Sequence, residues 1–327
     1  MTKTPPGFTR TLLSIAVPVT LQNLLASSFT LIDTMMIGRL GDTPLAAVGM
    51  AGKWTWFLTI VFFGFSSGAS VFISQFYGAG DEDALRREVA TTIIFGGVAS
   101  VAAFLLGWPL SGPVLRLMRV PGEILAMATR YLQVIFVGFL FTFQYNILAA
   151  ALRSVGDSKT PLYFLILTSA LNIGLDLLFI VPFKMGILGA ALATDISQAI
   201  SGVVSFGFLC RKFEVLHMQK GELAFSKRAC TRLMGIGVPM GTQCSITAIG
   251  SVIMQWAVNV LVSTAVAAVT AASKTMNLLT VPLESVGTAM ATYSGQNLGA
   301  ARMDRVRKGV TSALLIATVY SIASALI

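Results

Sequence analysis

Uncharged apolar runs longer than the roughly 18 residues needed to cross a bilayer recur along this chain, and they leave few folds open. Inside hydrocarbon a backbone must satisfy its own hydrogen bonds, so only helices and closed β-barrels span membranes. A barrel needs segments of about 10 residues that alternate in hydrophobicity, whereas the apolar runs here are continuous. Charged residues make up 11 % of the 327 residues, and mean hydropathy is +0.80. Soluble domains carry about 25 % charge. The expected class is an all-α integral membrane protein with nine helices, near 11–37, 44–77, 89–110, 122–152, 160–182, 187–210, 232–258, 264–298 and 308–327. Breaks fall at turn chemistry such as Gly38-Arg39-Leu40-Gly41-Asp42 and Gly78-Ala79-Gly80-Asp81. The N-terminus carries no signal-peptide cleavage pattern.

Residues 12–89 recur without a gap 221 positions later, with 21 identities in 78 aligned pairs. Pro18 returns as Pro239, Gln22 as Gln243, Lys53 as Lys274, Gln75 as Gln296, Gly78 as Gly299, Asp83 as Asp304 and Arg86 as Arg307. Apolar bias alone does not align Pro, Gln, Lys, Asp and Arg in one register. Six helices separate the copies, an even number, so both halves enter the membrane in the same sense and form a parallel repeat. The expected organisation is a first lobe over 1–210, a linker over 211–231 and a second lobe over 232–327. The second copy reaches only the equivalent of residue 106, which is read as an incomplete second lobe in a truncated chain.

The net charge of +9 does not point to nucleic acid, because the basic residues sit in short connections between apolar runs. Sixteen Lys and Arg fall on the side of the N-terminus and the linker, against Arg39, Arg116, Arg119 and Lys184 on the other. The positive-inside rule then places the N-terminus and linker in the cytoplasm. Cys210, Cys230 and Cys244 have no metal or disulfide spacing, and His217, the single histidine, lies in the polar linker.

An ionisable residue inside a membrane is costly and functional by default. Asp33, Asp176, Asp195 and Glu284 qualify, with Lys53 and Lys274; Arg130 lies near a helix end and can snorkel. Asn172 and Asp176 are spaced i, i+4 and share a helix face, as do Thr194 and Gln198, while Asp195 points elsewhere. Asp33 follows Pro18, a residue that removes a backbone hydrogen bond and can bend its helix. If the first, fifth and sixth helices meet, carboxylate, amide and hydroxyl oxygens converge to hold a cation or a shared proton. Hydrogen bonding between helices is the competing role for Asn172, Thr194 and Gln198. Lys53 and Lys274, at equivalent positions, read first as scaffold.

These residues resemble the MATE (multidrug and toxic compound extrusion) transporters over the whole chain. The resemblance rests on Ile15-Ala16-Val17-Pro18, Ile32-Asp33-Thr34-Met35-Met36-Ile37-Gly38, Leu45-Ala46-Ala47-Val48-Gly49, Ser74-Gln75-Phe76-Tyr77-Gly78-Ala79-Gly80, Gly295-Gln296-Asn297-Leu298-Gly299-Ala300 and the stretch from Ala149 to Pro161. It implies twelve helices in two six-helix lobes around a central cavity, with export driven by inward H⁺ or Na⁺. Asp33, Asn172, Asp176 and Thr194 match the first-lobe cation site of the branch similar to DinF. The acid that NorM-like members carry in the seventh helix is Thr247 here, which argues against a second-lobe cation site; Glu284 is a candidate to compensate.

The expected function is therefore a cation-coupled antiporter that exports drugs or other amphipathic organic compounds by alternating access, with Pro18 as hinge. Met35, Met36, Trp54, Trp56, Phe139, Phe141 and Phe143 are candidate adaptable contacts. Glu284, Lys53, Lys274, Gln198 and Asp195 are candidates for substrate or coupling roles. No cofactor is expected, and no metal beyond Na⁺ at the cation site. The partners are small-molecule substrates and the bilayer, and the expected state is a monomer in the plasma membrane. A lipid or lipid-linked oligosaccharide flippase is the alternative, and a membrane-embedded enzyme the remote one, since no Ser/Lys, Cys/His or His/Asp constellation lies in the membrane.

Overall fold

The computed structural model describes residues 8–212, 227–259 and 263–325. Among these residues every element is helical: α1 (Phe8–Gly38), α2 (Asp42–Ala79), α3 (Glu82–Leu117), α4 (Gly122–Ser154), α5 (Lys159–Ile180), α6 (Gly186–Lys212), α7 (Lys227–Asn259), α8 (Ser263–Gly299) and α9 (Met303–Ala325). All nine expected helices form. Seven, α1 to α6 and α9, are long and apolar enough to cross a membrane. In α8, Lys274, Glu284 and many Ser, Thr and Asn residues dilute the apolar character, as suits a helix with one face off the lipid.

Several ends extend past the apolar runs because polar first turns are themselves helical. α3 begins seven residues before the expected 89. Asp81 caps it by accepting the amide of Ala84 at 3.0 Å, and Arg86 pairs with Glu82 at 3.6 Å and Asp83 at 3.2 Å. Asp157 accepts the amides of Lys159 (3.1 Å) and Thr160 (3.0 Å) to start α5. Gly80, at φ +70°, closes α2 with its N–H directed to the Phe76 and Tyr77 carbonyls. The expected linker 211–231 narrows, since α6 runs to Lys212 and α7 starts at Lys227. Its residues 213–226, with His217, lie outside the described residues.

α4 is the central helix of the first lobe and packs on α2, α3 and α6; α5 lies on α6 and reaches α1. Its core joins Ala47 and Ala51 of α2, Leu132, Phe136, Phe139 and Phe143 of α4, and Ala190 and Ala191 of α6. Small residues on α2 and α6 let the α4 aromatics approach, and this close packing holds membrane helices together where burial from water cannot. Phe139 and Phe143 are 3 % and 4 % exposed. They are core, not the adaptable contacts expected from the sequence. Met35 and Trp56, at 70 % and 52 %, are exposed.

The contact between the halves obeys the repeat. α7 packs on α2, and its counterpart α1 packs on α8, the counterpart of α2. Gly64 and Gly68 of α2 meet the backbone at Gly237 and Gly241 of α7 so closely that no Cβ fits at Gly64. The equivalent of Gly237 is Ala16 and that of Gly68 is Ala289, and these two share the α1–α8 cluster. At the axis, a Cβ on Gly78 would overlap the backbone of Gln296, and one on Gly299 the backbone of Gln75. Gly295 is packed against Ser74, its own repeat equivalent. Gln22 of α1 donates to the Ser158 carbonyl at 2.8 Å and Gln296 of α8 to the Ser154 carbonyl at 2.7 Å, so both halves grip the α4–α5 connection.

On α1 the face that carries Ala16 continues through Asn23, Ser27, Thr30 and Thr34, of which the last three are exposed. Their hydroxyls are satisfied by carbonyls one turn back.

Candidate cation site

Asp33 lies on the upper part of α1, half-buried, and Asp176 on α5, with no exposed surface. α1 packs on α5 and α5 on α6, while α1 barely touches α6. Asp33 is within electrostatic reach of Asp176, and both, together with Asp195, bear on the hydroxyl of Tyr131 in α4. The sequence reading made the convergence of Asp33 and Asp176 conditional on the first, fifth and sixth helices meeting, and of these α1 packs on α5. It missed Tyr131, which looks like one more aromatic in an apolar run.

Asn172 donates through Nδ2 to Thr194 Oγ1 at 3.3 Å, so the fifth and sixth helices join at two expected site residues. Thr194 Oγ1 donates in turn to the Ala190 carbonyl at 3.0 Å. With its amide group engaged, Asn172 keeps its carbonyl oxygen for an external donor or cation. Asp33 Oδ1, both carboxylate oxygens of Asp176, Asp195 Oδ2 and Gln198 Oε1 are buried without a hydrogen-bond partner. The amide oxygen is an acceptor, as are the carboxylate oxygens when ionised, and acceptors cannot satisfy each other. A cation or proton is the missing complement, because an unpaired buried carboxylate costs several kcal/mol. No group of three His, Cys, Asp or Glu side chains among the described residues could hold a metal ion. A cation here would draw on two carboxylates plus amide and hydroxyl oxygens, ligands that fit Na⁺ as well as H⁺.

Asp195 turns away from Thr194 and packs on α4, where a Cβ on Gly138 would collide with its carboxylate. Gly138→Ala should therefore lower stability by about 1–3 kcal/mol through overpacking, read as a fall in thermal midpoint. Adding Asp195→Ala should restore it, and an unchanged midpoint in the single variant would contradict this packing.

The remaining candidates lie elsewhere. Pro18 sits buried inside the continuous α1, two residues beyond the Ala16–Ala289 contact. Lys53 is exposed on α2, and Glu284 is exposed on α8. The side chain of Lys274 lies outside the described residues. Thr247 on α7 donates to the Gln243 carbonyl at 3.1 Å. Glu88 of α3 also escaped the sequence reading: it is 2 % exposed with Oε1 unpartnered, and the charge that bears on it is Arg232 of α7. Arg232 rests 5.9 Å from the ring centroids of both Phe72 and Phe76. A wheel through Leu85, Val89 and Thr92, all buried, would have put Glu88 on the packed face.

Comparison with known proteins adds a family to this geometry. The MatE family model matches residues 18–178 and 239–327. The chain is 30 % identical over 314 residues to Probable multidrug resistance protein YoeA of Bacillus subtilis, covering 94 % of this chain and 68 % of that protein. It is 31 % identical over 302 residues to Probable multidrug resistance protein YpnP of the same organism, covering 90 % and 66 %. The chain thus spans about two thirds of the length of these relatives. In fold it matches a MOP superfamily transporter from Pyrococcus furiosus, described as having a binding pocket of reversed polarity, with a TM-score of 0.90 at 22 % identity over 97 % of this chain and 71 % of that one.

Proposed function

This chain belongs to the MatE family, and we propose that it is a cation-coupled antiporter that exports amphipathic organic compounds by alternating access. The observation that carries the reading is the set of unpartnered buried oxygens on Asp33 and Asp176 beside the Asn172–Thr194 pair. Asp33 is on α1, and α1 also makes the Ala16 contact with α8 across the halves. Pro18 lies between the two. A cation or proton arriving at Asp33 and Asp176 removes their mutual repulsion and lets α1 settle against α5. The Pro18 hinge passes that change to the α1–α8 contact, and the lobes rock about the glycine-rich α2–α8 crossing.

The site takes H⁺ or Na⁺ through Asp33, Asp176, Asn172 and Thr194, and Thr247 leaves coupling to the first lobe. The Lys and Arg distribution supports a crossing at the cytoplasmic side of the plasma membrane. The protein works as a monomer, and its chemistry is transport rather than catalysis. Relatives named as multidrug resistance proteins support drug-like substrates. A flippase for lipids or lipid-linked oligosaccharides is the second reading, favoured by the exposed cation of Lys53 on α2.

Proteoliposomes that contain the chain, with ΔpH and a Na⁺ gradient imposed separately, test the proposal. One gradient alone is expected to drive uptake of an organic cation such as ethidium against its own gradient. Ethidium movement that ignores both gradients would defeat it.

A further inference from the structure

α5 and α6 meet along a polar seam, of which the proposed cation site takes only one end. From Asp176 toward the start of α5, the residues at successive turns are Asn172, Thr168, Phe164 and Thr160. Asn172, Thr168 and Phe164 each touch a partner on α6. Asn172 Nδ2 donates to Thr194 Oγ1 at 3.3 Å, and the hydroxyls of Thr168 and Ser201 bond to each other. The rings of Phe164 and Phe208 meet edge to face with centroids 5.5 Å apart. Thr160 Oγ1 donates to Asp157 Oδ2 at 2.6 Å, at the end of the lobe that carries the exposed Lys159 and Arg211. Thr168 and Ser201 are buried. Ser205, one turn from Ser201 toward Phe208, is 1 % exposed, and its hydroxyl has no partner. Hydroxyls between membrane helices serve as glue, and the bonded pairs suffice for that. Glue does not account for a buried unbonded hydroxyl beside the aromatic pair, or for an unbonded carboxylate at the far end.

We propose that this seam is a proton path inside the first lobe, from Asp176 to the basic end, with Phe164 and Phe208 as its plug. Successive rungs stand about 5.4 Å apart, the span of one water that hydrogen-bonds to both. A proton leaving the Asp176 carboxyl passes to such a water, which gives one of its own to the next rung. Each hydroxyl accepts one proton and releases another, and Asp157 or bulk water takes the last. Asn172 orients Thr194 and takes no proton. Rungs in direct hydrogen-bond contact leave no bore for a metal ion with its ligand oxygens, so the path carries H⁺ alone. The ring pair interrupts the file of waters, as apolar constrictions do in channels, and keeps the path shut in this lobe arrangement.

The path rests on the proposed role of Asp176, but its test needs no transported compound, so the two readings fail separately. Proteoliposomes with pyranine trapped inside are given an inside-negative potential by valinomycin and a K⁺ gradient, and H⁺ entry is read as dye fluorescence. Phe164→Ala should raise the rate about tenfold over the parent, a barrier lower by about 1.4 kcal/mol. Phe208→Ala removes the half-buried ring of the pair, opens the same plug from the other helix, and decides the matter if Phe164→Ala does not fold. Ser201→Ala or Asp176→Asn, added to the open variant, should return the rate to that of the parent. Phe206→Ala, an exposed ring on α6, should leave the parent rate unchanged. No gain in either plug variant, a gain that survives both Ser201→Ala and Asp176→Asn, or an equal gain for Na⁺ would each overturn the path. If the plug variants stay tight while a gradient still drives ethidium in the parent, the path fails and the antiporter reading stands. If they conduct through Asp176 while no gradient moves ethidium, the path stands without that reading.

Discussion

Asparagine in place of Asp33 is expected to abolish ion-driven efflux while leaving the fold intact. The exchange keeps shape and removes the charge proposed to hold the cation, so cation affinity should fall by about 3 kcal/mol, roughly a hundredfold. Stability should not fall with it. Asp33 Oδ1 and both oxygens of Asp176 have no protein partner, so removing either charge relieves a desolvation penalty instead of breaking a bond. Asp176→Asn should behave alike and gain more thermal midpoint, being the more deeply buried. The double variant should be no worse than either single one, because both remove the same site. The checks are ethidium efflux in cells and thermal midpoints in detergent. Full efflux by Asp33→Asn would sink the cation site; a large drop in midpoint would mean that Asp33 is held by partners other than those described.

The second large effect is expected at the α2–α8 crossing. A methyl group at Gly78 would overlap the Gln296 backbone, and one at Gly299 would overlap the backbone of Gln75. Backbone cannot rotate aside as a side chain can. Gly78→Ala and Gly299→Ala should each cost about 3 kcal/mol, at the upper end of overpacking penalties. They should do so equally, because each contact mirrors the other. Gly52→Ala, in the same α2 with nothing near its Cβ, is the control. It should be neutral or stabilising by up to about 1 kcal/mol. Equal behaviour of Gly52→Ala and Gly78→Ala would show that the halves do not meet where described. Valine at Gly78 should go further and shift the equilibrium between lobe arrangements, visible as altered cysteine crosslinking between α1 and α8.

Most of the scaffold is legible in the sequence because membrane helices announce themselves by composition. Breaks at Gly38-Arg39-Leu40-Gly41-Asp42 and at Gly80 are simple turn chemistry, and the helices start and stop near them. What composition misjudges are polar first turns. Counting apolar residues started the third helix at 89, one position past Glu88, which is buried in α3. In the candidate site, Asp33, Asn172, Asp176 and Thr194 could be singled out because a polar residue in hydrocarbon stands out one at a time. Tyr131 and Gly138 could not. A tyrosine passes for a packing aromatic, and a glycine has no side chain to betray that Asp195 rests on it. Phe139 and Phe143 erred the other way: nothing in a run of aromatics separates those that line a cavity from those that fill a core. The repeat, in contrast, carries tertiary information. Its 221-residue offset pairs Gly68–Gly237 with Ala289–Ala16, contacts that no local pattern reveals.

The Ser74–Gly295 contact has a consequence for how such a molecule can arise. A crossing in which Gln75 meets Gly299 while Gln296 meets Gly78 is isologous, the geometry of a homodimer of half-length chains. In a dimer the on-axis position is occupied twice by the same residue, and here a Cβ on Gly295 would strike the Ser74 hydroxyl. Two identical chains could not meet there as serine and serine without moving apart. Joining the halves into one polypeptide lifts that restriction, and this chain uses the freedom to seat a serine on one side of its axis and nothing on the other.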